Sequence, residues 1–100
     1  MIDTARREAI RSEVATKKAV ARSLQEQFND ERLKAEVQMA WNWLNDVEVL
    51  FLNQMDDRTD AQEARWLGYA EGYLQSFAVP ALTRLTQVML TYGPNAEAVG

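Results

Sequence analysis

Carboxylates that could hold a metal ion cluster in the middle of the chain, at Asp56, Asp57 and Asp60. Calcium prefers oxygen ligands of this kind, so an EF-hand loop is the first interpretation to test. A loop beginning at Asp56 would need an oxygen ligand at its third position, a glycine at its sixth and a glutamate at its twelfth. The chain has other residues there: Arg58, Ala61 and Leu67. We therefore interpret the cluster as helix-capping residues.

The rest of the sequence offers little else for catalysis, because it contains no cysteine and no histidine. Their absence removes disulfides, thiolate nucleophiles, the commonest general base and the commonest transition-metal ligand. Asp46 and Glu48 lie in an apolar stretch, but side chains two residues apart on a helix point in different directions and cannot share a proton. No glycine-rich phosphate loop and no nucleophile-elbow serine is present. We expect a non-enzymatic protein with no metal and no cofactor.

The segment Met39–Met55 is apolar on most of its sides and should form the central helix. Large apolar residues at alternating spacings of four and three predict one buried helical stripe. Other large side chains lie off that stripe, which predicts that neighbours cover this helix on more than one side. The stripe consists of Leu33, Val37, Ala40, Leu44, Val47 and Phe51, and the side chains off it are Trp41, Trp43, Val49, Leu50 and Leu52.

The overall pattern predicts an all-α fold, a compact bundle of about four helices that a second copy could complete. A chain of 100 residues has room for one core. We expect one helical domain over residues 1–94 and a loose tail over residues 95–100. The expected helices are 4–28, 31–55, 60–78 and 80–92.

Three residues mark the expected helix ends. Asp30 can cap the second helix by accepting hydrogen bonds from its first backbone N–H groups, which favours a turn before it. Pro80 should end or kink the third helix and begin a fourth, because proline lacks a backbone donor and restricts the preceding residue. Gly93 can adopt the left-handed conformation that commonly stops a helix.

Small residues recur every four positions on the predicted third helix, at Ala64, Gly68, Gly72 and Ser76. Two glycines inside a helix cost about 1 kcal/mol each relative to alanine, so their presence suggests that something approaches the backbone closely. We expect another helix to pack there, within the domain or across a dimer. A ligand groove is the alternative.

The charges are unevenly distributed along this acidic chain, whose net charge is −4. Residues 1–25 carry six basic and three acidic side chains, whereas residues 26–65 carry four basic and ten acidic ones. A basic strip on the first helix could bind phosphate or an acidic partner, although a solvated helix face is the simpler interpretation. The strip consists of Arg7, Arg11, Lys18 and Arg22.

Recognition should therefore fall to acidic and aromatic side chains, because tryptophan and tyrosine are favoured at protein interfaces. Our first hypothesis is an adaptor or inhibitor that docks on a larger protein complex. Because acidic residues could occupy a basic surface normally used by nucleic acid, one concrete form is an inhibitor of a nucleic-acid-handling complex, as phage-encoded anti-CRISPR proteins are. The candidate partner-binding residues are Asp56, Asp57, Asp60, Glu63, Trp66, Tyr69 and Tyr73.

Two alternatives use other residues. A self-assembling subunit, a homodimer or a larger helical assembly, would pair through the face of Gly68 and Gly72 and through the first helix, whose apolar stripe is thin. A nucleic-acid-binding protein would use the basic strip, although an acidic chain has little general affinity for nucleic acid. The first residues lack a signal-peptide apolar run, and the longest apolar run, Val47–Leu52, is too short to cross a membrane. We expect a soluble, cytoplasmic protein.

Overall fold

The computed structural model describes residues 4–54 and 60–98, apart from the side chains of residues 54 and 60. Helix α1 spans Thr4–Gln27 and α2 spans Glu31–Asp46, which a π turn (Val47–Phe51) and a 3₁₀ turn (Leu52–Gln54) extend. Helix α3 spans Asp60–Tyr73, a π turn follows at Leu74–Ala78, and α4 spans Val79–Tyr92. The described residues contain no strand, so the predicted all-α class is confirmed.

These elements form three long rods: α1, the α2 rod with its two turns (residues 31–54), and a third rod made of α3, the π turn and α4 (residues 60–92). The sequence predicted four helices. The break expected near Pro80 is wrong, because the backbone stays helical through the π turn and into α4. A proline ring inside a helix crowds the carbonyl one turn earlier and removes a hydrogen bond. The wider π turn directly before Pro80 relieves that conflict, so the rod continues. A rod from residue 60 to residue 92 is about 50 Å long, which matches the 49 Å long axis of the chain.

The three rods run up, down and up. Helix α1 is antiparallel to α2, since Arg11 reaches Asn53 while Lys18, seven residues later, reaches Asn45. The third rod is antiparallel to α2 in the same way: Trp43 meets Phe77, and further down α2 a side chain of α4 forms an ion pair with Glu36. Helix α2 thus lies between two neighbours. None of the rods, over the described residues, is long and apolar enough to cross a membrane.

A turn separates α1 from α2, as predicted. Asp30 caps α2, and its carboxylate accepts hydrogen bonds from the backbone N–H groups of Arg32 and Leu33 at 2.9 and 3.0 Å. Phe28 is fully buried beside this turn. The thin apolar stripe of α1 also lies in the core, at Ile10, Val14, Ala21 and Leu24.

The π turn in α2 changes which residue enters the core. The sequence predicted Phe51 after Val47 on the buried stripe, but Leu52 is buried instead and Phe51 is only half-buried. A π turn adds one residue to a helical turn. The core position therefore moves from four to five residues after Val47, and Phe51 rotates toward the third rod.

The C-terminal end packs against the turn between α1 and α2. Gly93 has a φ of 77° and ends α4 by donating its N–H to the carbonyl of Met89 at 2.8 Å. The carbonyl of Pro94 accepts the N–H of Asn29 at 3.0 Å. Ala96 is buried. Of the tail predicted to be loose over residues 95–100, the structure describes residues 95–98, and there the side chain of Asn95 accepts a hydrogen bond from Asn29 at 2.7 Å.

Candidate protein-docking surface

Six aromatic rings form an unbroken series along the seam between α2 and the third rod. Trp43 and Phe77 have ring centroids 5.8 Å apart, and Phe77 lies 5.4 Å from Tyr73. The series continues from Tyr73 to Phe51 at 6.0 Å and from Phe51 to Trp66 at 5.1 Å, and it ends at Tyr69, 6.1 Å from Trp66. Rings at these separations and tilts attract each other, and this attraction adds to the stabilisation that comes from burying their surface.

Several side chains of this seam face solvent although they are apolar. Met39 and Tyr69 are each 55% exposed, Leu50 is 50% exposed and Phe77 is 49% exposed. Four side chains of this size expose together on the order of 400 Å², which is within the range of the largest apolar patch on a typical monomer. We call this region the aromatic surface: Met39, Trp43, Leu50, Phe51, Trp66, Tyr69, Tyr73 and Phe77.

Helical spacing and the two π turns place these side chains together. On α2, Met39 and Trp43 are one turn apart, and the π turn then carries Phe51 to the side that faces α3. On the third rod, Tyr69 and Tyr73 share a face, and the second π turn places Phe77 beside Trp43. Pro80 accounts for the second π turn. The first has no proline or glycine in it, and π turns occur frequently at functional sites.

The aromatic residues of the predicted partner-binding set are brought together here, whereas Glu63, the one acidic side chain of the set that the structure describes, is not among them. Trp66, Tyr69 and Tyr73 all belong to the aromatic surface. Glu63 is 2% exposed and pairs with Arg7 at 3.5 Å, so it is part of the interior. Asp56 and Asp57 lie outside the described residues, as does the side chain of Asp60, the first residue of α3.

Sequence reasoning missed Met39, Leu50 and Phe77 as surface residues. It expected neighbours to cover α2 on more than one side, and α1 and the third rod do so. The outer face of α2 nevertheless stays open at Met39, Val49 and Leu50. The position of Trp43 and Leu50 off the predicted core stripe was the available signal.

The small-residue stripe of α3 also faces solvent. Ala64, Gly68, Gly72 and Ser76 are all exposed. A Cβ atom built at Gly68 or at Gly72 would meet nothing within 4 Å. The prediction that a helix of the same domain packs closely there is therefore wrong for the described chain, and packing across a dimer stays a prediction.

Three of the four residues of the predicted basic strip contact other helices of the same chain. Arg7 pairs with Glu63, and Arg11 donates to the side-chain oxygen of Asn53 at 3.3 Å. The ammonium of Lys18 donates to Asn45 and Glu48 at 3.0 and 3.3 Å and lies 4.7 Å from the ring centre of Trp41. Arg22 is exposed and borders an open groove of about 230 Å³ between α1 and α2. The strip is thus not a free row of cations.

Two acids were considered for catalysis, Asp46 and Glu48, and each lies among side chains of the α2 rod or its neighbours. Glu48 is the ion-pair partner of Lys18, and Asp46 is half-buried at the edge of the aromatic surface. The residues that the structure describes contain no group of three or more potential metal ligands.

Comparison of the chain with protein-family models, with curated proteins and with solved structures gave no match.

Proposed function

We propose that this chain is a non-enzymatic protein-interaction module that docks on another protein through the aromatic surface. The observation that supports it is the series of six linked rings, bordered by side chains that are half exposed at Met39, Leu50, Tyr69 and Phe77. Burial of about 400 Å² of apolar area contributes roughly 10 kcal/mol before the costs of association. Aromatic anchors on a rigid helical scaffold lose little entropy when they bind.

The role of the module is that of an adaptor or an inhibitor of a larger complex. The net charge of −4 supports a partner with a basic surface, and a nucleic-acid-handling complex is one such partner. A cytoplasmic location belongs to the same proposal, because a chain without cysteine fits a reducing compartment.

Nucleic-acid binding receives less support than protein docking. Lys18 is held by two side chains of α2 and by the face of Trp41. Arg7 faces the buried carboxylate of Glu63. Phosphate binding by these cations would have to break contacts that the fold already makes, and the released counterions would have to offset that loss.

Affinity capture from the native host tests the proposal when it compares surface variants. Leu50→Lys and Tyr69→Lys each place a charge in the aromatic surface at a half-exposed position, where the folded state tolerates it. We expect each variant to lose at least nine-tenths of the partner that the unchanged chain captures. Quantitative mass spectrometry of the captured proteins measures this loss.

Leu90→Lys is the matched control. Leu90 is 74% exposed and also apolar, but it lies thirteen residues after Phe77, about 20 Å further along the rod. This variant should capture the partner as the unchanged chain does. Equal capture by all the variants would overturn the proposal, and circular dichroism of each variant verifies that the helices are intact.

A further inference from the structure

Three charged side chains border the aromatic surface, and none has an ion-pair partner among the described residues. Arg32 and Arg65 are exposed, and Asp46 is half-buried. Arg32 and Asp46 lie on the helical stripe that also carries Met39, because the spacings are multiples of the helical repeat. Arg65 lies one turn before Tyr69 on α3. The nearby carboxylate of Glu36, by contrast, is neutralised by Arg84 at 2.7 Å.

The antiparallel rods arrange these charges as positive, negative and positive along the surface. Arg32 precedes Asp46 by fourteen residues, or about 21 Å of helix. Trp66 packs on Phe51, so its neighbour Arg65 lies beyond the other end of the exposed α2 residues. Asp46 thus lies between two cations, and each cation stands at one end of the aromatic surface.

This order of charges disfavours a second copy of the chain as the occupant. A two-fold dimer with antiparallel rods would bring Asp46 near Asp46 of the other copy and Arg32 near Arg65 of the other copy. A two-fold dimer with parallel rods would bring each of these charges near its own equivalent. Like charges in contact across an interface are repulsive.

The shape of the surface suits a helix. Two antiparallel rods present a groove between their side chains, and a third rod packs into such a groove in helical bundles. Gly72 and Ser76 flank Tyr73 on the exposed side, and nothing lies within 4 Å of a Cβ built at Gly72. The described part of the chain therefore leaves the space beside Gly72 open.

We propose that the occupant is an amphipathic helix of a different protein, with an aliphatic stripe, basic residues at its centre and an acidic residue toward each end. This inference rests on the proposed function. The basic centre faces Asp46, and the acidic ends face Arg32 and Arg65. The docked helix adds a fourth rod to the bundle and covers the exposed side chains of Met39, Leu50, Tyr69 and Phe77.

Two synthetic helical peptides of about 20 residues, long enough to span 30 Å, test the charge order. They share one composition and one leucine stripe, and neither contains tryptophan. The contact edge of the matched peptide reads Glu, Lys, Lys, Glu, and that of the reversed peptide reads Lys, Glu, Glu, Lys. Titration calorimetry at low salt should give the matched peptide at least tenfold tighter binding, and 1 M NaCl should remove most of this preference.

Two variants of the chain distinguish the possible failures. Asp46→Asn should reduce the preference several-fold, whereas Glu8→Gln, at an exposed site on α1, should leave it unchanged. If the two peptides bind the unchanged chain with equal affinity and Leu50→Lys abolishes the binding of both, the proposed charge order is wrong and the docking surface is still supported. Binding that Leu50→Lys does not weaken would contradict the docking surface as well. If neither peptide binds, the helical occupant is wrong, and the capture experiment still decides the proposed function independently.

Discussion

Helix α2 has two long seams, one with α1 and one with the third rod, and different kinds of side chain form them. Toward α1, polar side chains reach across the surface of the bundle and meet partners, as Lys18 does with Asn45 and Glu48. Toward the third rod, rings meet rings, and half of the surface of Phe77 and of Leu50 stays in contact with water. Charges usually remain solvated while aromatic side chains are buried. In this chain several charged side chains form contacts between helices. The exposed rings mark the side where a binding partner can bury further apolar area.

The same contrast explains why exposure is informative here. Polar contacts bridge the α1 seam at Lys18 and Arg11, so a partner at those positions would displace bonds already formed. The aromatic surface has contiguous apolar area that a partner would remove from water, which gives association a driving force on that side.

The largest test of this contrast compares two leucines of the α2 rod. Leu44 is fully buried and Leu50 is half exposed. Leu44→Ala leaves a cavity in the core and should lower the free energy of unfolding by about 3 kcal/mol. Leu50→Ala leaves no cavity and should lower it by less than about 1 kcal/mol. Urea unfolding followed by circular dichroism measures both values.

Similar losses in the two variants would contradict the assignment of the aromatic surface as uncovered. That result would mean that Leu50 is buried in the protein as it exists in solution. Sedimentation at several concentrations would then show whether a second copy covers it, because a stable dimer makes the unfolding midpoint depend on concentration.

A second prediction concerns the buried ion pair between α1 and α3. Glu63 is 2% exposed and lies 3.5 Å from the guanidinium of Arg7. Glu63→Ala removes the carboxylate and leaves a poorly solvated cation, so it should lower the free energy of unfolding by roughly 3 kcal/mol. Thermal and urea unfolding of this variant measure the loss.

The double variant Arg7→Met with Glu63→Leu gives the control. It removes both charges and keeps apolar volume, so it should regain most of the stability. A double variant as unstable as Glu63→Ala would show that these side chains stabilise the fold through their other contacts. The pair would then not explain why a glutamate is tolerated in the interior.

The sequence allowed the elements with local signals to be predicted. Asp30 and Gly93 were identified because capping and chain reversal depend on one residue and its neighbours. The buried stripe of α1 followed from periodicity alone. These features need no knowledge of which helices become neighbours.

Features that depend on neighbouring rods could not be predicted in the same way. The π turn after Asp46 moves Leu52 into the core and Phe51 out of it, although no proline or glycine marks the site. Pro80 indicated a break, but the preceding π turn accommodates it. Glu63 resembled a surface acid because its partner is 56 residues away. Tertiary packing decided each of these positions against the local pattern.

The smallest expected effect concerns Gly72, which lies beside the aromatic surface on α3. Its backbone is helical, it is exposed, and a Cβ there meets nothing within 4 Å. Gly72→Ala should therefore raise the free energy of unfolding by roughly 0.5–1 kcal/mol, because alanine loses less backbone entropy in a helix. Gly93→Ala should lower it by about 1 kcal/mol, since its φ of 77° strains any residue with a Cβ.

The glycine experiment also separates the needs of the fold from those of a partner. A stability gain in Gly72→Ala means that the fold does not require this glycine, so any reason to keep it lies outside the isolated chain. If the same variant binds the matched peptide several-fold more weakly, close approach of a second backbone is that reason. If binding is unchanged, the peptide lies on the rings without using the small-residue stripe, and the contact surface is confined to Met39, Leu50, Tyr69 and Phe77 and the rings between them.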